Sequence, residues 1–286
     1  MKRNENLAKL QSGYLFPEIN RRKKEFLKNN PDAKLISLGI GNTTEPLTPY
    51  ITNSLKKAAE EMGNLGGYTG YSDEQGLNEL REKISKVKYN NEISSEEIFI
   101  SDGAKCDVSR LQVMFGNKVS IAVQDPAYPV YVDGSVIMGT TGEYKDDKFE
   151  GVSYIHCTSK NCFFPNPKQI KKADLIYICS PNNPTGEVAT KEQLKELIKF
   201  AKKNKSIIIF DAAYSEYIED KSLPKSIYEI DGAKEVAIEV NSFSKSIGFT
   251  GVRLGWSVVP KELKYDDGSL VIKDWNRIVT TLFNGA

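Results

Sequence analysis

The chain alternates short apolar runs with amphipathic stretches, and that alternation leaves few folds open to it. Six runs read as strands: Glu97–Ile100, Val119–Val123, Leu175–Cys179, Ile207–Phe210, Val236–Val240 and Leu254–Val259. Several are apolar throughout, as expected of strands covered on both faces. Thr190–Lys203, between two of them, reads as a helix. Thr190 and Gln193 have the spacing of a capping box, and Leu194, Leu197, Ile198 and Ala201 recur at i, i+3, i+4 and i+7. A helix joined to strands by short loops is the crossover unit of a parallel sheet, so the spacing predicts an α/β fold.

The stretch before Glu97 reads differently. A basic helix near Pro17–Asn29 precedes Lys34–Leu38, then comes a Gly- and Thr-rich loop, and a second helix is expected near Thr48–Met62. Gly63–Gly76 carries five glycines and two tyrosines and reads as a loop. The coarse division is a small N-terminal region, residues 1–45, and then a large sheet domain, residues 46–286. With 39 basic and 38 acidic residues the net charge is +1, which gives no footprint for nucleic acid. No apolar run approaches the ~20 residues that cross a bilayer. Met1–Asn6 has no apolar region behind its positive charges, so a cytoplasmic protein is expected, without membrane or nucleic-acid partners. Cys106, Cys157, Cys162 and Cys179 form no two-residue-gap motif and are expected to be free, buried thiols. His156 is the one histidine. A metal centre built on several imidazoles is excluded, and without a Gly-x-Ser-x-Gly elbow His156 reads as a structural or surface residue.

Ligands of open α/β sheets sit at the carboxyl ends of the strands, so the residues immediately after each run are the ones to carry chemistry. Ser101-Asp102-Gly103-Ala104-Lys105 is a glycine turn into a helix, able to bind an anion through free N–H groups; alone, it reads as a plain strand–helix connection. Tyr128, between Pro126 and Pro129, offers a rigid flat face for an aromatic ring, although buried tyrosines are common. Ser180-Pro181-Asn182-Asn183-Pro184-Thr185-Gly186 is a stiff loop that can turn the Asn183 amide inward. Asp211, at the end of an apolar strand, can keep a pyridine nitrogen protonated or simply cap a helix. Asn241-Ser242-Phe243-Ser244-Lys245, with Arg253 eight residues on, offers an amine able to form a Schiff base with an aldehyde, beside hydroxyls and a guanidinium suited to phosphate.

Taken in order, Asn-Asn-Pro-Thr-Gly, Asp-x-x-Tyr and Ser-x-Ser-Lys with its later Arg resemble the fold type I aminotransferases. The resemblance implies pyridoxal 5'-phosphate (PLP) as cofactor and a PLP-dependent transferase fold: a large domain with a mostly parallel, seven-stranded sheet flanked by helices, plus part of a small domain. It implies that Lys245 holds the cofactor, that Asp211 pairs with its ring nitrogen, and that Asn183 and Tyr214 bond its ring oxygen. Tyr128 would stack on the ring, with Ala104, Lys105, Ser242, Ser244 and Arg253 around the phosphate.

Within that group, Ser101–Lys105, Phe210–Tyr214, Leu223–Tyr228, Gly248–Trp256 and Asp274-Trp275-x-Arg277 are similar to the LL-diaminopimelate aminotransferase family. So are Gly39–Thr44 and the ending Phe283–Ala286. This implies amino transfer between LL-diaminopimelate and 2-oxoglutarate, with glutamate as donor to tetrahydrodipicolinate in the biosynthetic direction. It also implies substrate contacts from Tyr14, Gly41, Lys105, Tyr128, Asn183 and Asn284. The expected assembly is a homodimer with shared sites, in which Tyr71 reaches the neighbour's cofactor phosphate. Family members continue past Ala286, so the C-terminal part of the small domain, with an arginine that clamps the substrate carboxylate, is expected to be absent. The cofactor residues serve every reaction of the group. An aminotransferase for aspartate, alanine or aromatic amino acids, a PLP lyase, or an inactive fragment of such an enzyme therefore stays open. A DNA-binding regulator does not fit: the first ~45 residues leave no room for a DNA-binding domain, and the charge is near neutral.

Overall fold

The computed structural model describes residues 1–10, 15–36 and 43–285. The first helices are α1 (Asn6–Lys9), α2 (Leu15–Asn29), α3 (Pro49–Met62) and α4 (Asn78–Tyr89). Thr48 caps α3 and Pro49 opens it, the residue preferences of a helix start. Residues 63–76 form no helix or strand, as their glycines predict.

From there strand and helix alternate: β1 (Ile98–Ser101), α5 (Ala104–Phe115), β2 (Ile121–Asp125), α6 (Val130–Met138), the hairpin β3 (Tyr144–Lys145) and β4 (Lys148–Phe149), β5 (Val152–His156), β6 (Leu175–Cys179), α7 (Lys191–Asn204), β7 (Ile207–Asp211), β8 (Ala237–Ser242), α8 (Phe243–Ser246), β9 (Gly255–Val258) and α9 (Val271–Leu282). Seven strands make one sheet in the order β1-β9-β8-β7-β6-β2-β5. All neighbouring pairs are parallel except those of β9, which runs antiparallel to both β1 and β8.

The expected capping box is present: Thr190 Oγ1 accepts from Gln193 N–H and Gln193 Oε1 accepts from Thr190 N–H. Leu194, Leu197, Ile198 and Ala201 are buried against the sheet. Alternate residues of each central strand feed opposite faces. Ile176, Ile178, Ile208 and Phe210 pack with α7 and Trp256, while Leu175, Tyr177 and Ile209 pack with α5 and Trp275. Both faces are therefore dry, which is why those strands carry no polar alternation.

Strand ends shift by at most two residues from the sequence expectation. Glu97 belongs to a short 3-10 turn, capped by Ser94, rather than to β1. β2 starts later and ends later than expected, because Gln124 and Asp125 continue to pair with Ile155 and His156. β5 is not among the expected strands: it is an edge strand of mixed polarity with a single buried residue. The cysteine expectation is half right. Cys157 and Cys179 are buried, but Cys162 is exposed and Cys106 intermediate; all four are free. His156 is a surface residue whose Nδ1 lies 3.0 Å from Asp125. No described helix is long and apolar enough to cross a membrane.

Candidate active site

The antiparallel run of β9 sets up the site. Gly255 faces Ser101 on one side and Ser242 on the other. A Cβ at Gly255 would lie 2.5 Å from the Asn241 carbonyl oxygen and 2.7 Å from Gly103 Cα. Glycine there lets the turn before α5 close against the end of β8. Gly103, at φ +120°, has the Arg253 guanidinium so near that an added Cβ would meet Nη2 at 2.8 Å. Arg253 itself sits at φ +66°, an uncommon backbone state for a non-glycine residue. Its Nη1 donates to Ser244 Oγ (3.1 Å) and to the Thr250 carbonyl (3.2 Å). Ser242 Oγ accepts from Ser244 N–H at 3.1 Å. The start of α5, two hydroxyls and one fixed cation thus converge, an arrangement that suits a phosphate.

Across the cavity, β7 ends in Asp211, 5% exposed. Its Oδ2 accepts from the Tyr131 hydroxyl at 2.8 Å and its Oδ1 from Ala213 N–H at 3.0 Å. Burial holds the Asp211 carboxyl above the usual carboxylate range, and these two hydrogen bonds offset part of that rise. The loop after β6 is pinned by buried Asn182, whose Nδ2 reaches Thr185 Oγ1 (3.0 Å) and the Pro126 carbonyl (3.3 Å). Its neighbour Asn183 is turned toward Tyr214, with Nδ2 3.5 Å from the phenol oxygen.

Lys245, on the one-turn helix α8, has its Nζ 5.5 Å from the centre of the Tyr214 ring. Burial first, and the Arg253 charge second, hold this amine below the usual lysine range. Lys105 Nζ lies 5.8 Å from the Tyr128 ring centre.

These groups line one cavity of about 450 Å³, within the size range of small-molecule sites. Every residue expected at the cofactor lines it except Tyr71, which is exposed on the surface. Of the substrate expectations, Lys105, Tyr128 and Asn183 line the cavity and Asn284 does not; Tyr14 and Gly41 lie outside the described residues. Cys179, Ala213 and Thr250 also line it. Sequence alone does not single them out, because none carries an obvious charge or ring. Nor does it single out Tyr131, since a tyrosine inside a helix gives no sign of where its hydroxyl ends. A wider groove of about 870 Å³ lies at the opposite ends of β6 and β7. Its Lys202 and Lys205 are paired with Glu235 and Asp266, and none of the expected site residues is there.

The cavity therefore offers a phosphate cradle at one end, a dry carboxylate at the other, an amine between them and a tyrosine ring at the side. A phosphorylated pyridine aldehyde fits that donor set. A family model for aminotransferase class I and II matches residues 33–280. The chain is 57% identical to an LL-diaminopimelate aminotransferase of Protochlamydia amoebophila, across all of this chain and 70% of that protein. It is 56% identical to the chloroplastic LL-diaminopimelate aminotransferase of Arabidopsis thaliana, across 99% of this chain and 62% of that one. The solved L,L-diaminopimelate aminotransferase of Chlamydomonas reinhardtii superposes with a TM-score of 0.95 at 57% identity, covering 100% of this chain and 71% of that one. The chain belongs to the class I and II aminotransferases and, within them, to the LL-diaminopimelate aminotransferase family. It spans between 62% and 71% of the length of these relatives. The cofactor of this class is pyridoxal phosphate.

Proposed function

We propose that this cavity holds pyridoxal phosphate and serves amino transfer between LL-diaminopimelate and 2-oxoglutarate, with glutamate as the amino donor to tetrahydrodipicolinate. The observation that carries the reading is the convergence of Lys245, Asp211 and Arg253 on one cavity, in a chain whose relatives are named for this activity.

When bound, the cofactor supplies an aldehyde carbon for amines and a ring that withdraws electrons from the substrate α-carbon. Lys245 is the amine that would hold the cofactor's aldehyde carbon and, when free, would carry the proton to and from the substrate α-carbon. Its lowered basicity keeps a fraction of the amine neutral and able to accept that proton. Asp211 keeps the ring nitrogen protonated. Asn183 and Tyr214 bond the ring oxygen, and Tyr128 stacks on the ring face. The N-terminus of α5 at Ala104 and Lys105, together with Ser242, Ser244 and Arg253, holds the phosphate. Tyr14, Gly41, Lys105 and Asn284 belong at the substrate. The working unit is a homodimer in which Tyr71 reaches across to the neighbour's phosphate, and residues 1–45 belong to a small domain beside the large one of residues 46–286.

The test is an absorption spectrum of the purified chain with added pyridoxal phosphate, before and after LL-diaminopimelate. The expected result is a visible band of lysine-bound cofactor that the amino acid converts to the amino form. A spectrum identical to free cofactor at every ratio would overturn the reading. Equal or greater conversion by aspartate in a side-by-side screen would overturn the substrate.

A further inference from the structure

We propose that Tyr131 is a positioning residue that keeps the Asp211 carboxylate ionised and aimed, and that ties it mechanically to the Tyr128 ring. The inference rests on the assignment of Asp211 to the cofactor's ring nitrogen. It goes beyond it by naming the group that makes a buried acid usable there.

The problem Tyr131 solves is electrostatic. Asp211 is at the end of a strand covered on both faces, and taking a carboxylate out of water favours its neutral form. A neutral acid could not hold a proton on a pyridine nitrogen. Among the described residues two donors reach Asp211: the Ala213 backbone N–H and the Tyr131 hydroxyl, the latter at 2.8 Å and with both side chains buried. The backbone N–H comes with the turn; the phenol is the contribution of a side chain 80 residues away in sequence.

The phenol is a dependable donor. Burial first, and the Asp211 charge second, push it well above the ordinary tyrosine range, so it retains its proton. The other titratable groups near Asp211 are Cys179, paired with it in register on β6, and Tyr214 after the turn. Burial pushes both up, so they stay neutral.

The ring of Tyr131 is also held. It stacks on Tyr177 at 5.2 Å between centres and 15° between planes, and it meets Tyr128 edge-on at 5.9 Å and 87°. Tyr131 is in the first turn of α6, three residues after Tyr128, so one segment fixes the acid behind the site and the aromatic face beside it.

The experiment titrates the Asp211 carboxyl carbon by NMR in the full chain with carbon-13-labelled aspartate, using Asp211→Asn for assignment. The ring nitrogen of nitrogen-15-labelled pyridoxal phosphate is then followed on the loaded chain. Tyr131→Phe is expected to raise the Asp211 midpoint by about one to two pH units, the weight of one hydrogen bond to a charged group. In the loaded chain the ring nitrogen should lose its proton at correspondingly lower pH. Tyr177→Phe, which keeps the stacked ring and both Asp211 bonds, should leave both midpoints in place. Should Tyr131→Phe not fold, site-specific 3-fluorotyrosine at 131 keeps the ring and strengthens the donor, and is expected to lower the Asp211 midpoint. Equal Asp211 midpoints in the wild type and in whichever of these two chains folds would overturn the inference. A neutral ring nitrogen in the loaded wild type, with the Asp211 shift intact, would instead remove the assignment it rests on.

Discussion

β8 itself carries a buried acid outside the cavity, Glu239, and its replacement gives the sharpest stability prediction. Glu239 is 1% exposed. Its Oε1 accepts from Tyr89 Oη (2.8 Å) and Asn241 Nδ2 (3.0 Å), and its Oε2 from Ser226 Oγ (2.6 Å) and Ile227 N–H (3.0 Å). Tyr89 Oη in turn accepts from Trp256 Nε1 and Asn241 Nδ2. Glu239→Gln supplies one acceptor oxygen where there were two. If the amide NH2 faces Ile227, that backbone N–H has no acceptor. If it faces Tyr89, the phenol oxygen is crowded by N–H groups and its own proton has no acceptor. Either orientation strands at least one buried hydrogen, which costs about 1–3 kcal/mol. For a chain of this size that corresponds to roughly 2–12 °C in thermal midpoint. The assay is thermal and urea unfolding monitored by near-UV and far-UV circular dichroism, side by side with wild type. The opposing effect is relief of the buried charge, which pushes the Glu239 carboxyl up. A Gln variant as stable as wild type, or more stable, would show that desolvation outweighs the four hydrogen bonds and would refute the reasoning.

Three further outcomes are expected. Gly255→Ala should destabilise the chain by about 1–3 kcal/mol, because its Cβ meets backbone atoms rather than a side chain that could move. It should also weaken retention of pyridoxal phosphate in dialysis by disturbing the turn at Gly103. Arg253→Met removes the second cause of Lys245's lowered basicity; the neutral amine then appears at higher pH, and the pH profile of borohydride trapping at saturating cofactor should move upward. Asp107 is fully buried and its carboxyl is pushed up to about 7 by burial, against the Ser101 hydroxyl and Arg110. The folded chain holds that proton more tightly than the unfolded one, so Asp107's contribution is present below about pH 4 and lost as pH rises through about 7. Asp107→Asn should flatten the stability profile in that window in urea titrations at stepped pH.

The central sheet is legible in the sequence because burial on both faces leaves an unmistakable trace: Leu175–Cys179 and Ile207–Phe210 hold nothing but apolar side chains, and the observed strands match them within a residue. β5 is illegible for the same reason reversed, since an edge strand with one buried residue needs no apolar run. The cavity is legible wherever a reactive side chain comes just after a strand. It is illegible where function depends on the far end of a long side chain, as at Tyr131, or on a small residue at close quarters, as at Gly255. Tyr71 shows a further limit. It stands on the surface, 90% exposed, away from the residues that line the cavity, so its surroundings among the described residues give no sign of a role.

Arg253 shows how topology arranges the chemistry. The other cavity side chains of the sheet come after the carboxyl ends of parallel strands, whereas Arg253 precedes its strand. β9 runs antiparallel to β8, so the beginning of β9 lies at the same end of the sheet as the ends of β8 and β1. Had β9 been parallel, the residues just before it would emerge at the opposite end, near Leu175 and Ile207. The reversal is what lets one short stretch, from Ser242 to Arg253, leave β8, place Lys245 on α8, and return with a guanidinium against Gly103. An amine with depressed basicity and the cation that helps depress it are thereby delivered by one loop. The opposing acid comes from the next strand over, at Asp211, in direct register with Val240.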